Sequence, residues 1–291
     1  MISRMRLVIL LCALSISWMA EGQTLNTSAI HQGLDRSGQK TGEVYKVGFP
    51  RTDLHVTVYG LAIKPGLALG SWAAFAGTDD KALVMGDPVL LEDERNPVMD
   101  KLRASGFEIT AIHNHLINET PHVLYVHYMG HGPTAQLASS LKNALSASRT
   151  PLEKPAPAAE EGPAPAWVNT VEDSVGRKGT FKGGVLSFGV PRSDRITMDG
   201  MTIEPAAGVA EAINFQVADS GQVATTGDFV LAAAEVNPVL SELRAHRISV
   251  TALHSHMVAE QPRLFFMHFW AVGESSDRWR RNQSGSQPCR G

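Results

Sequence analysis

The feature that most limits what this chain can fold into is that it contains one sequence twice. The block from Gly86 to Gly132 returns as Gly227 to Gly273, 141 residues later and without a gap, and 19 of the 47 positions are identical. Upstream, Gly48, Pro50, Arg51 and Asp53 return as Gly189, Pro191, Arg192 and Asp194 at the same offset. Between these blocks the spacing slips by one, so that Ile63 and Pro65 match Ile203 and Pro205. Ile30, Leu34, Arg36 and Gly38 also match Val171, Val175, Arg177 and Gly179. Each unit is about 120 residues, the size of a domain and far longer than a solenoid repeat.

The units divide the chain. Residues 23–148 read as a first domain, 149–166 as a linker with five prolines, 167–273 as a second domain and 274–291 as a flexible polar tail. Ahead of them, Arg4 and Arg6 precede an apolar run from Leu7 to Met19, followed by the small residues Ala20 and Gly22. Residues 1–22 therefore read as a cleaved signal peptide, and the expected destination is secreted or periplasmic. An uncleaved membrane anchor is the alternative. No second apolar run is long enough to span a bilayer, so no membrane span is expected in the mature chain.

Within each unit the pattern is α+β, an antiparallel or mixed sheet with one or two helices. Residues 25–38 read as an amphipathic helix, 43–48 and 54–63 as strands, and Leu83 to Leu91 as another. Asn96 and Pro97, matched by Asn237 and Pro238, read as a helix start with Asn as the cap. Phe107, Ile109, Ala111, His113 and His115 fall on one face of a strand, and Val123 to Met129 reads as the strand that returns.

Six of the 11 histidines occupy matched positions: His113, His115 and His127, then His254, His256 and His268. A His-x-His step on a strand points both imidazoles the same way, roughly 6.5–7 Å apart. A third imidazole from the neighbouring strand closes a triangle around one ion and leaves a position open. That pattern suits zinc first, and also copper, nickel or iron. The alternative is a set of polar residues hydrogen-bonded within a half-buried sheet. Glu119 and Glu260, four residues after the second His of each pair, are candidates for a fourth ligand or a general base beside it, or plain loop carboxylates. Glu94 and Glu235 read as complements to a helix dipole, and Asp87 and Asp228 as turn formers after Gly. Arg51 with Asp53, and Arg192 with Asp194, read as structural ion pairs at a turn, with binding of an anionic substrate as the alternative.

Several functions are excluded. With 26 basic and 29 acidic residues there is no electrostatic case for nucleic acid. Two cysteines, Cys12 in the leader and Cys289 in the tail, support no disulfide scaffold, zinc thiolate site or catalytic thiol. Phosphate-cradling and nucleophile-elbow motifs are absent from the sequence.

The run from Thr110 to Leu116 through Glu119, Pro121 and the segment His127 to Gly132 resembles the LppY/LpqO family of bacterial exported proteins. So do Pro50, Arg51 and Asp53, the Ser71, Trp72 and Phe75 group, and Met85 with Gly86 and Asp87. The resemblance covers both units and implies export, but no established activity. Some of its members are lipoproteins, whereas here Leu11 precedes Cys12 where lipidation needs a small residue. The second unit lacks the Ser-Trp and Gly-His-Gly pieces. At the level of the site alone, His-x-His with a later His is similar to the zinc ligands of acetolactate decarboxylase, a duplicated α+β enzyme acting on a small keto acid. The expectation is a protein binding a divalent transition metal, with a small-molecule ligand and lyase or hydrolase chemistry. The rival is a non-catalytic module of the cell envelope.

Overall fold

A computed structural model describes residues 24–154, 162–218 and 221–274. The signal peptide, the middle of the linker and all but the first residue of the tail lie outside the described residues. The chain is α+β, in two halves built alike. The first half runs α1 (Thr27–Leu34), β1 (Gln39–Thr41), β2 (Val44–Pro50), β3 (Thr57–Val58), β4 (Leu61–Ala62), α2 (Pro65–Ala68), β5 (Gly70–Gly77), β6 (Ala82–Asp87), β7 (Val89–Leu91), α3 (Glu92–Ala104), β8 (Glu108–His113), β9 (Glu119–Thr120), β10 (Val123–Gly132) and α4 (Thr134–Leu145). The second runs α5 (Ala166–Val175), β11 (Thr180–Lys182), β12 (Val185–Pro191), β13 (Ile196–Met198), β14 (Met201–Ile203), a single turn of 3-10 helix at Pro205–Ala207, β15 (Ala210–Val217), β16 (Gln222–Ala232), α6 (Ala233–Ala245), β17 (Ser249–His254) and β18 (Leu264–Glu274).

Each half is centred on an antiparallel sheet. In the first, β1, β2, β5, β6 and β10 lie side by side, β7 continues along the same edge of β10, and β8 takes its other edge. The second sheet is ordered β11, β12, β15, β16, β18, β17. The run read as one strand from Leu83 to Leu91 is broken at Pro88, which has no N–H to donate. In the second half Phe229 holds that place and β16 is continuous.

Local chemistry sets the helix ends. The Asn26 side chain accepts from Ala29 N at 3.0 Å, and Asp35 turns left-handed at φ 51, so α1 is shorter than the 25–38 stretch read from the sequence. The helix expected to start at Asn96 starts a turn earlier, at Glu92, and keeps Pro97 inside it. The Glu94 carboxylate reaches back to accept from Leu91 N at 2.9 Å and caps that earlier turn. In the second half Glu235 accepts from Ala232 N in the same way. Arg51 donates to both Asp53 and Glu94, and Arg192 to Asp194 and Glu235, so the ion pairs read from the sequence are present and each gains a second carboxylate.

Strand alternation then divides the core. On the outer face of the first sheet, Val47, Phe49, Phe75, Val126 and Tyr128 pack under α1, α3 and α4 through Ile30, Leu34, Val98, Leu102 and Leu141. On the inner face, Val44, Leu83, Met85 and Met129 meet Ile196, Val230, Leu264 and Phe266 of the second half. The two halves therefore share one continuous apolar layer, which at about 25 cal/mol per Å² of buried apolar surface favours keeping them together. Side chains also cross the seam. Gln216 accepts from Lys64 N and donates to Ala62 O, both at 2.8 Å, and Asn214 donates to Leu67 O. The first residues of the expected linker are docked too, with Arg36 donating to Pro151 O and Glu153 O.

Candidate metal centre

The histidines are carried to the seam by a strand irregularity. Tyr125 faces His113 and His127 faces Ala111, but Tyr128 faces Ile109, so Thr110 is an extra residue in β8. Such a bulge reverses which side the following residues point to. Phe107 and Ile109 consequently pack on the helix side, while Ala111 and His113 face inward; the single face expected for Phe107 through His115 is split at Thr110. The second half repeats the device at Thr251. Its hydroxyl donates to His115 O at 2.6 Å, and Asn114 donates to Thr251 O at 3.2 Å, which ties one bulge to the other half's histidine loop.

The expected triangle in the first half closes. His113 and His115 have ring centroids 5.0 Å apart, His113 and His127 also 5.0 Å, and the donor atoms of all three lie within 4.8 Å of one another. What the sequence did not reveal is that the second set occupies the same place. His113 stacks on His254 at 3.5 Å, His115 on His268 at 3.8 Å and His127 on His256 at 3.7 Å. Tyr125 covers His115 at 3.4 Å and its repeat counterpart Phe266 covers His256 at 3.5 Å. The two stacks are related by a pseudo-two-fold axis passing between His113 and His254. Two further donor groups, His113 with His254 and His256, and Asp228 with His256 and His268, are equally compact.

The two aspartates were misread as turn formers. Asp87 ends β6 on the inner face it shares with Leu83 and Met85, and its Oδ2 lies 3.5 Å from His127 Nε2 and 3.8 Å from His115 Nε2. Asp228 Oδ1 lies 3.9 Å from His268 Nε2. The preceding glycine serves packing: a first side-chain carbon at Gly86 would fall 2.2 Å from the Tyr128 hydroxyl. The alternation of Leu83, Met85 and Asp87 was the available signal.

Burial sets the charge state. The imidazoles are held neutral, His113 at about 3 and His254 at about 4, with burial the main cause for both and the neighbouring His254 adding to it at His113. His115, His127, His256 and His268 are pushed well below the ordinary range by burial and by one another. Burial pushes both Asp87 and Asp228 up. All six Nε2 atoms, with Oδ1 of each aspartate, are buried without a hydrogen-bond partner among the described residues. In His113 and His268, Nδ1 faces the carbonyls of Asn114 and Gly227 at 3.3 Å, which assigns the proton to Nδ1 and the lone pair to Nε2. Neutral imidazoles grouped this closely beside carboxylates could hold a metal ion.

A cavity of about 230 Å³ adjoins the histidines, its wall including Asp87, Asp228, His115, His127, His256 and His268. Its remaining wall is unequal. The first half contributes Lys46 and Trp72, the ammonium lying 4.0 Å from the ring centroid, where the second half has Ser187 and Ala212. Lys46 is lowered to about 8 by burial, against the opposing pull of Asp87. Glu119 is not on this wall; its carboxylate is 2.5 Å from His122 Nδ1, and its strand pairs with β3. Glu260 accepts from Leu264 N and lies against Arg263.

No helix among the described residues is long and apolar enough to cross a membrane. Comparison with curated proteins and with solved structures finds no match to either. A family described as Domain of Unknown Function (DUF1259) matches twice, over residues 28–147 and 169–278, the two halves that meet at the histidine cluster. The chain belongs to this family, in two tandem copies.

Proposed function

We propose that this is an exported protein that binds a divalent transition metal, zinc first, between its halves, and uses it on a small molecule held in the adjoining cavity. One observation carries the reading: six buried Nε2 atoms converge with no partner among the described residues. A buried polar atom left unpaired costs about 1–3 kcal/mol, so six together call for an occupant with several acceptors to satisfy at once. A metal ion is that occupant, and the neutral state of the rings removes the proton competition that would oppose it. Bound there, the metal supplies Lewis acidity for lyase or hydrolase chemistry. Lys46 gives the cavity wall a cation, which favours a ligand carrying an anionic group. Glu119, held by His122, does not serve as the base. Export rests on the arginine-flanked apolar leader, and resemblance to the LppY/LpqO proteins supports it.

The test is elemental analysis of protein purified without a His tag, with mass spectrometry of the exported form. Bound zinc or copper and a chain starting near Gln23 are expected. A metal-free protein whose thermal midpoint does not move with either ion refutes the metal, and an intact Met1 in the soluble fraction refutes the export. A second reading, a non-catalytic envelope module that only holds the metal, draws on the engagement of Glu119 elsewhere. A small carboxylate that shifts the midpoint of loaded protein and is turned over decides against it.

A further inference from the structure

The two halves each bring three imidazoles and one carboxylate to the seam, and this eight-residue set is more than one ion can use. We infer that the cluster is a dinuclear centre, one ion held by His113, His115, His127 and Asp87, the other by His254, His256, His268 and Asp228. This rests on the metal reading above and goes beyond it in number, ligand assignment and the contact between ions.

Three observations support the assignment. First, the compact donor groups include two that share no residue: His113 with His115 and His127, and His256 with His268 and Asp228. A single ion of coordination number four or five accommodates one such group and leaves the other orphaned. Second, the two ligand sets overlay ring by ring. The cross-seam stacks measure 3.5, 3.8 and 3.7 Å with interplanar angles of 23°, 20° and 21°, so the second set is displaced from the first by nearly one distance throughout. Two ions held in sets stacked at this spacing would fall near the roughly 3.5–4 Å separation of two-metal sites. Third, the carboxylates stand where charge balance needs them. Two dications this close repel, neutral imidazoles do nothing to offset that, and Asp87 and Asp228 place one negative group beside each set when metal displaces their protons. A residual positive charge is left facing the cavity, consistent with an anionic ligand there.

The full mature chain, stripped with a chelator, is titrated with zinc by calorimetry, and the metal retained after desalting is counted. Two ions per chain are expected, and one per chain in the Asp228→Asn/His256→Gln variant. A copper-loaded sample should lose most of its paramagnetic resonance intensity relative to its copper content, because neighbouring ions couple. One ion per chain in the unmodified protein overturns the inference, as do two copper ions with spectra of isolated centres. No ion at all overturns the metal reading itself, so the two failures are distinguishable. The circular dichroism and unfolding midpoint of metal-free variants establish that they fold. If the double variant does not, His115→Gln, which depletes the other set, serves in its place with the same expectation, and the copper spectrum of the unmodified protein stands independently.

Discussion

The same ion pair sits in both halves under different cover. In the first half the Arg51 side chain is 0% exposed and Glu94 2%, whereas in the second Arg192 is 12% exposed and Glu235 44%. Part of the cover comes from the segment that follows α4. That helix packs on α1 and α3, and the chain then brings Arg149, whose N–H donates to Glu94 at 2.9 Å. Among the described residues the second half has no counterpart of α4. The cluster at the seam obeys the opposite rule, with all six histidines and both aspartates the same in the two halves. Structure around the repeats has diverged while the six histidines and two aspartates have not, so the halves differ in how they are built and agree in the histidines and aspartates they bring to the seam.

The sharpest way to break that contrast is at the ion pairs. Arg51→Ala leaves Glu94 buried and deprived of its main partner, and should cost about 3–5 kcal/mol, whereas Arg192→Ala strips a half-exposed carboxylate and should cost about 1 kcal/mol or less. Urea unfolding of the two variants measures both, and equal losses would mean that the cover over Glu94 has no energetic role.

The seam should respond evenly. At a hundredfold excess over its dissociation constant, each bound metal ion is expected to stabilise the protein by about 2.7 kcal/mol, near 5–10 °C in thermal midpoint. His115→Ala and His256→Ala should each remove a comparable share of that gain. A loss confined to one variant would show that only one half's ligands matter.

Two smaller substitutions convert the first half toward the second. Tyr125→Phe copies Phe266 and removes the hydroxyl's 2.8 Å bond to Ala68 O, for a cost of about 1 kcal/mol with metal content unchanged. Lys46→Ser copies Ser187 and loses the contact with Trp72, about 0.5–1 kcal/mol at most. Its main effect is expected on ligands: small carboxylates should bind loaded protein about tenfold more weakly, or 1.4 kcal/mol. Undiminished binding by calorimetry would remove Lys46 from the cavity's chemistry.

Much of this was legible in the residues. The 141-residue offset implied two like halves, the alternation of apolar residues implied sheets, and His-x-His with a third histidine implied a compact imidazole group. Other readings failed for identifiable reasons. Asn96 and Pro97 carry a strong start signal, but Glu94 overrides it because Arg51 holds that carboxylate in place to cap an earlier turn. Asp87 after Gly86 fits a turn, and only the tyrosine filling the glycine's space shows why a strand needs Gly there. Thr110 carries no mark of a bulge, since a bulge is a property of two strands in register.

The sequence by itself determined the repeat, the fold class of each half and which six histidines fall at matched positions, because these depend on local periodicity and on matches within the chain. Only the tertiary structure decided that the two histidine sets form one cluster. Docking of the halves is set by the shape and apolar surface of their inner faces, with Met85, Met129, Val230 and Phe266 packed far from one another in sequence, and no spacing records which faces meet. The same packing brings Asp87 and Asp228 beside the imidazoles, burying one oxygen of each carboxylate and all six Nε2 atoms with no partner among the described residues.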